Sequence, residues 1–268
     1  MASAKITFGL VTPANETLAG RVDALARRVA EQVGVEIELR GAASYEALAD
    51  DVKGGAVDLA WLPPIVFLRL GDAVAPVGSI RRGGRDSYEA ALIVRADSDI
   101  HAIESLKGAR AGWVDRWSAA GFVVPRIKLA LLGVDPRTAF RTETFHGSHS
   151  AAVRALLDGA ADVVGTYALA DASGEVTSGA WSDVEGADIR VLATFGAIPS
   201  DVLVTRAGLD AAVRARIFEG FTSVTDDGET AEVLRAVFGG HELVLGIESS
   251  YAALKSALEV ASSRGLFE

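Results

Sequence analysis

The chain of 268 residues contains no cysteine. Disulfide frameworks and thiolate metal sites are therefore excluded, and the compartment stays open, because a chain without cysteine suits either redox environment. No apolar run approaches the ~20 residues needed to cross a bilayer, so no membrane span is expected. Met1 to Lys5 leads straight into a β-rich run, with no basic segment followed by an apolar one, so no secretory signal is read there. The chain as given reads as cytoplasmic; with a leader ahead of it, it would be periplasmic or lipid-anchored. Low-complexity tracts and fixed-period repeats are also missing. Positive charge is in deficit, 26 Lys and Arg against 36 Asp and Glu, for a net charge of −10. Such a balance argues against nucleic acid as a partner, since that binding rests on phosphate neutralisation by Lys and Arg. It does not forbid a local anion site, where a few N–H groups and side chains dominate at short range.

What is present is hydrophobic residues, which make up half of the chain. That is enough for a sizeable core and for two lobes. Strand and helix patterns alternate. Ile6–Val11 reads as a strand, and Thr17–Val33 carries Leu18, Val22, Leu25, Ala26 and Val29 at helical spacing. Gly34 stops that helix, and Val35–Leu39 alternates like a strand. Ser44 caps a helix running through Val52, without a capping box because Ala47 stands three residues on. Val57–Trp61, Ala75–Ile80 and Ala90–Arg95 read as strands, and Pro63-Pro64 opens a helix. Further strands are expected at Ala109–Val114, Arg141–Phe145, Ala161–Gly165, Asp188–Phe195 and Val202–Thr205, the last clear one. Helices are expected over Ala119–Leu132 and Ser150–Asp158, and again near the end, with Val213, Ile217, Phe221, Val233, Leu234 and Val237 on their apolar faces. This alternation predicts an α/β fold with parallel sheets.

Two strand-to-helix turns carry the chemistry. In Trp113–Pro125 (WVDRWSAAGFVVP) a short strand ends in Asp, Ser and Gly and opens a helix. Free backbone N–H groups and the positive end of the helix dipole then converge on one point, which suits an anion. Phe145–His149 (FHGSH) also lies between an extended segment and a helix. Two such turns suggest a grip on a small polar or anionic molecule.

Six phrases occur in order: ITFGLVTP at the start, GGAVDLAWLPP (Gly54 to Pro64), SLKG (Ser105 to Gly108), VDRWSAAGFVVPR (Val114 to Arg126), FHGSH, and IPSD (Ile198 to Asp201). Over roughly residues 5–225 the chain resembles the phosphonate/phosphate/phosphite-binding proteins of ABC transporters. The resemblance implies a two-lobed type II periplasmic-binding-protein fold, each lobe a mostly parallel sheet flanked by helices. Lobe one would be residues 1–93 plus 197–268 and lobe two residues 94–196, with a two-strand hinge and a cleft that closes on ligand. In that family a serine-threonine-serine run binds phosphonate oxygens; the matching residues here are Ser118, Ala119 and Ala120, which keep the backbone N–H groups and lose two hydroxyls. His149 matches the histidine that meets the phosphonate. Tyr45 and Tyr88 match two aromatics, and Asp201 matches the acid that meets the amino group of aminophosphonates. A second acid, expected near Thr166–Leu169, is absent, and Tyr167 is the notable residue of that segment. No cofactor and no metal is implied; an ABC permease or a signalling protein is the implied partner.

The same residues have plainer readings. Ser118 serves equally as a helix cap, and His149 as a cap or an orienting residue. Tyr45 and Tyr88 serve as loop tyrosines, and Asp201 as a turn residue. His146 and His149 lack the third ligand of a metal site. Trp61 reads as packing, and Gly83-Gly84 among Arg81, Arg82 and Arg85 as a mobile, solvated loop without the context of a phosphate loop. Two function classes stay open, besides a ligand-free scaffold domain that the loss of two hydroxyls would allow. One is a solute-binding protein for a small anionic or zwitterionic ligand, phosphonate- or phosphate-like or diverged to an organic phosphate or carboxylate, serving import or sensing. The other is a cytoplasmic lyase-like enzyme on the same fold acting on a carboxylated metabolite, with His149 and Asp201 as its base and partner. No convincing nucleophile–base pair supports the enzyme.

Overall fold

The computed structural model describes residues 5–11, 16–82, 84–171, 173–224, 228–238, 240, 242–245 and 248–267. Thr12, Pro13 and Gly83 lie outside the described residues, as do the side chains of Leu18, Val233 and Val237. The chain divides into two compact units, Met1–Asp86 with Pro199–Tyr251, and Ser87–Ile198 with Ala252–Glu268.

In the first unit the chain forms β1 (Lys5–Val11), α1 (Glu16–Val33), β2 (Glu36–Ala42), α2 (Tyr45–Lys53), β3 (Leu59–Leu62), α3 (Pro64–Leu70) and β4 (Val74–Arg81). The period of 3.6 explains α1: Val22, Leu25, Ala26, Val29 and Val33 are all buried and share one face. Ser44 caps α2, its Oγ accepting from the N–H of Ala47 at 3.1 Å. Every residue of β3 is buried, so its run is apolar rather than alternating.

The second unit contains β5 (Ser87–Arg95), β6 (Arg110–Trp113), α4 (Val124–Leu131), β7 (Thr142–Phe145), α5 (His149–Leu157), β8 (Val163–Ala170), β9 (Val176–Gly179) and β10 (Ile189–Pro199). The chain then returns to the first unit as β11 (Val202–Arg206), α6 (Ala211–Val224), α7 (Gly228–Phe238) and β12 (Glu242–Val244), and ends in α8 (Glu248–Ser263). The first sheet has the order β12-β4-β11-β3-β1-β2, with β1 parallel to β2 and β3, and β11 antiparallel to β3 and β4. The second has the order β10-β5-β8-β6-β7, with β9 on β8; β6 is parallel to β7 and β8, and β5 is antiparallel to β8. Each unit has its own apolar core: Phe8, Leu25, Leu59, Trp61, Leu203 and Phe238 are in the first, and Ile93, Val153, Leu156 and Val164 in the second.

Four features differ from the sequence reading. The helix expected over Ala119–Leu132 opens with a π-turn, Ala119–Val123, before α4. Pro125 has no N–H to give to the carbonyl of Gly121, and that carbonyl accepts instead from Val114 N at 3.3 Å. Strand β10 runs on through Ile198 and Pro199, which the sequence assigned to a turn. Strands β9 and β12 are too short to show a period.

The unit boundaries fall at 86/87 and 198/199, and residues 252–268 group with the second unit. Arg126 explains the last point. It is 1% exposed, its Nε donates to the carbonyl of Leu266 at 2.7 Å, and its guanidinium lies 5.1 Å above the Phe122 ring. Its Nη1 pairs with Glu143, which also accepts from Nε1 of the buried Trp113 at 2.6 Å. Arg126→Met is expected to lower stability by about 3 kcal/mol, the low end for a broken buried pair because Glu143 reaches solvent. The midpoint of urea unfolding, at unchanged m, measures it.

Candidate functional site

The turn after β6 is built by local chemistry. Asp115 folds it: Oδ1 accepts from Trp117 N at 2.7 Å, and its carbonyl accepts from Ser118 N at 3.0 Å. Ser118 then caps the helix, its Oγ accepting from Gly121 N at 3.0 Å. Ser118, Ala119 and Ala120 are all buried. The cap leaves the Ser118 hydroxyl proton unspent, and the N–H groups of Ala119 and Ala120 belong to a helix's first turn, which has no acceptors within the helix. Gly121 is required by space: a Cβ there would run into Val114 and lie 2.7 Å from Ser118 Oγ.

The turn after β7 follows the same plan. Gly147 takes φ +79°, a left-handed conformation that suits glycine. Ser148 caps α5, accepting from Ala151 N at 3.2 Å, and His149 is the first residue of that helix. The two turns are stitched together: His146 N donates to Trp113 O at 2.9 Å, and Gly147 N donates to Val114 O at 2.8 Å. This continues the β6–β7 pairing, in which Trp113 faces Phe145, beyond the strands themselves.

His149 is held from β8. Its Nδ1 lies 2.8 Å from Oγ1 of Thr166, and its ring packs edge-on to Tyr167 at 5.0 Å between centroids. Tyr167 in turn reaches Asp183 at 3.4 Å. Burial pushes the His149 imidazole down to about 4, so it is neutral at pH 7. Burial lowers His146 as well, and its Nε2 is sealed with no hydrogen-bond partner among the described residues. Tyr88 is half-buried in β5, one residue before Glu89 pairs with Ala168.

In the first unit, Tyr45 opens α2 next to the Ser44 cap and is half-buried. Asp201 is neither a free acid nor a plain turn residue. Its Oδ2 accepts from Arg82 at 2.8 Å and from Trp61 Nε1 at 3.3 Å. Trp61 also packs on Phe238 at 4.1 Å, so it joins packing to a polar contact. Ser79 Oγ donates to the carbonyl of Asp201 at 2.8 Å, and the Tyr251 hydroxyl donates to that of Ser200. Gly84 is exposed, while the arginines around it are tied down. Arg82 and Arg85 exchange backbone hydrogen bonds of 2.7 and 2.9 Å, Arg82 Nε holds Phe238 O at 3.0 Å, and Arg81 pairs with Glu242 at 2.8 Å.

Two residues were missed from sequence. Thr166 sits in the segment searched for an acid, and a hydroxyl partner for a histidine 17 positions earlier has no local pattern. Arg82 was hidden in a basic, glycine-containing loop. The base-and-partner pairing of His149 with Asp201 gains no support, since each already has another hydrogen-bonding partner. Among the described residues no cluster of three or more His, Asp or Glu could hold a metal, and no helix is long and apolar enough to cross a membrane.

A histidine depressed from 6.5 to about 4 stabilises the fold fully above pH 6.5. That contribution is lost as the pH falls towards and through 4, in total about 3 kcal/mol. The carboxylate of Asp135, held at about 2 by Arg137, gives way only below this window. His149→Gln is expected to flatten the stability profile between pH 6.5 and 4, as read from urea midpoints.

Residues 10–251 match the family described as "ABC transporter, phosphonate, periplasmic substrate-binding protein". The phosphate-import protein PhnD of Mycolicibacterium smegmatis is 26% identical over 170 residues, which is 59% of this chain and 53% of that protein. The chain thus spans about half the length of this curated relative. Among solved structures, PhnD1 of Prochlorococcus marinus in complex with methylphosphonate superposes with TM-score 0.80 at 14% identity, covering 96% of this chain and 98% of that one. XAC2383 of Xanthomonas citri, bound to chloride ion, gives 0.78 at 18%, covering 98% and 100%. At these identities the solved structures speak for the two-lobed fold.

Proposed function

The chain belongs to the periplasmic substrate-binding proteins of phosphonate ABC transporters, and from that premise we propose that it captures a small oxyanion on the two stitched turns of its second unit. The observation that carries this reading is the pair of hydrogen bonds from His146 N and Gly147 N to Trp113 O and Val114 O, which sets two helix starts side by side. Ser118 would give its hydroxyl proton, Ala119 and Ala120 their N–H groups, and His149 its imidazole. Tyr88 is a further candidate on this unit, and Tyr45 and Asp201, the latter in its pair with Arg82, are candidates carried by the first unit. An ABC permease is the proposed partner of the loaded protein.

The missing hydroxyls refine the ligand. A charge-assisted hydrogen bond contributes about 1.5–3 kcal/mol, so alanine at 119 and 120 leaves a weaker grip on the anionic head than a hydroxyl run gives. An organic phosphate or carboxylate, whose tail adds apolar contact, is the ligand class this favours over a bare phosphonate. Asp201 supports an anion without an amino group, because its carboxylate is already satisfied by a cation.

Thermal-shift screening against methylphosphonate, inorganic phosphate, phosphate monoesters and carboxylates tests the reading, since a ligand of the native state raises its stability by mass action. The largest shift is expected from a phosphate monoester, and Ser118→Ala should weaken its binding about tenfold. The same variant should cost about 1 kcal/mol of stability through the lost cap. A dominant shift with methylphosphonate would overturn the refinement, and no shift with any oxyanion would overturn the whole reading.

A further inference from the structure

Thr166 is completely buried, at 0% exposure, in the middle of β8. Its neighbour across the antiparallel pair is Ala91, which offers no side-chain polar group. Among the described residues, His149 Nδ1 at 2.8 Å is the hydrogen-bond partner of its hydroxyl, and no second one is found. That contact has two arrangements. If Nδ1 carried the proton and donated, the hydroxyl proton of Thr166 would be buried with nothing to accept it. If Thr166 donates, its proton is satisfied and only an oxygen lone pair goes unused. Buried donors without acceptors are the rarer and costlier fault.

We infer that Thr166 is a positioning residue that donates to Nδ1 of His149 and fixes the imidazole as the neutral tautomer with its proton on Nε2. The ring then presents an N–H donor and no lone pair on its remaining nitrogen. Nε2 has no hydrogen-bond partner among the described residues and, unlike Nε2 of His146, is not one of the sealed orphan atoms. Among the described residues no carboxylate bonds to His149 to hold a second proton on it, and burial disfavours the cation. A hydroxyl at Nδ1 is thus a different device from a carboxylate there, which would favour imidazolium. In this chain His149 meets an oxyanion by dipole and direction, without a counter-charge. It accepts ionised oxygens and has no acceptor for a protonated one. The tautomer stands on the geometry alone; its effect on the ligand rests on the function proposed above.

Long-range proton–nitrogen spectra of protein labelled with nitrogen-15 in histidine test this at pH 7. The expected wild-type pattern is a protonated-type shift at Nε2 of His149 and an unprotonated one at Nδ1. Thr166→Val should move both nitrogens towards the average of the two tautomers, and Thr166→Ser should restore the wild-type pattern. Titrating phenyl phosphate, a phosphate monoester, into the same samples should show about fivefold weaker binding for Thr166→Val, the loss of about one hydrogen bond, and near-native binding for Thr166→Ser. A wild-type spectrum with the proton on Nδ1 overturns the inference even if Thr166→Val does not fold. An unchanged His149 pattern in a folded Thr166→Val protein overturns it too. The expected tautomer together with no binding of phenyl phosphate or of any other oxyanion tested in the wild type would count against the ligand reading while leaving the role of Thr166 intact.

Discussion

Everything proposed for the second unit depends on how closely two strand-to-helix turns approach each other. The pairing of β6 with β7 ends at Trp113 and Phe145, and two further backbone hydrogen bonds carry it into the turns. That extension needs room. A side chain at Gly121 would push into Val114, whose carbonyl takes the bond from Gly147. The π-turn serves the same end, because it directs the carbonyl of Gly121, unserved by Pro125, back to Val114 N. A glycine, a proline and an aspartate turn thereby hold a row of backbone dipoles in register. Around them, Trp113 packs against Phe122 and Phe140 with ring centroids 5.7 and 5.5 Å away, so the end of β6 is anchored by bulk as well as by hydrogen bonds.

The net charge of −10 puts the recognition of an anion on local groups. The proposed donors carry no full positive charge. Ser118 contributes a hydroxyl, the alanines contribute N–H groups, and His149 is kept neutral by burial. Two arginines near the proposed residues have carboxylate partners. Arg126 pairs with Glu143 and holds Leu266, and Arg82 pairs with Asp201. A site of fixed dipoles discriminates by geometry, since each donor must meet an oxygen in the right place, whereas a free guanidinium would attract anions of many shapes. It also needs little reorganisation, because Asp115, Gly147 and Thr166 set the donors in place beforehand.

Much of this was legible in the chain itself. Hydrophobic periodicity located most strands and helices, because the 3.6 and 2.0 repeats are local properties of how side chains leave the backbone. The Ser44 cap and the polar turn Asp115–Ser118 were visible for the same reason: their hydrogen bonds span three residues or fewer. The family resemblance followed from six phrases in order along the chain, two of which cover the turns after β6 and β7. Short strands such as β9 and β12 escaped because three or four residues cannot display a period. The bond from Arg126 to the carbonyl of Leu266, 140 positions away, has no local pattern that could announce it.

By itself the sequence determined the alternation of strands and helices, the exclusion of disulfides and thiolate metals, and two turns chemically fit for an anion. Each is encoded by composition or by neighbours along the chain. Tertiary structure decided which residues those turns rely on: Thr166 behind His149, Arg82 on Asp201, and Trp113 and Val114 accepting from His146 and Gly147. The reason is physical. Capping and periodicity act within one or two turns of backbone, whereas protonation state, ion pairing and the register of two loops are set by groups brought together only when the sheets assemble.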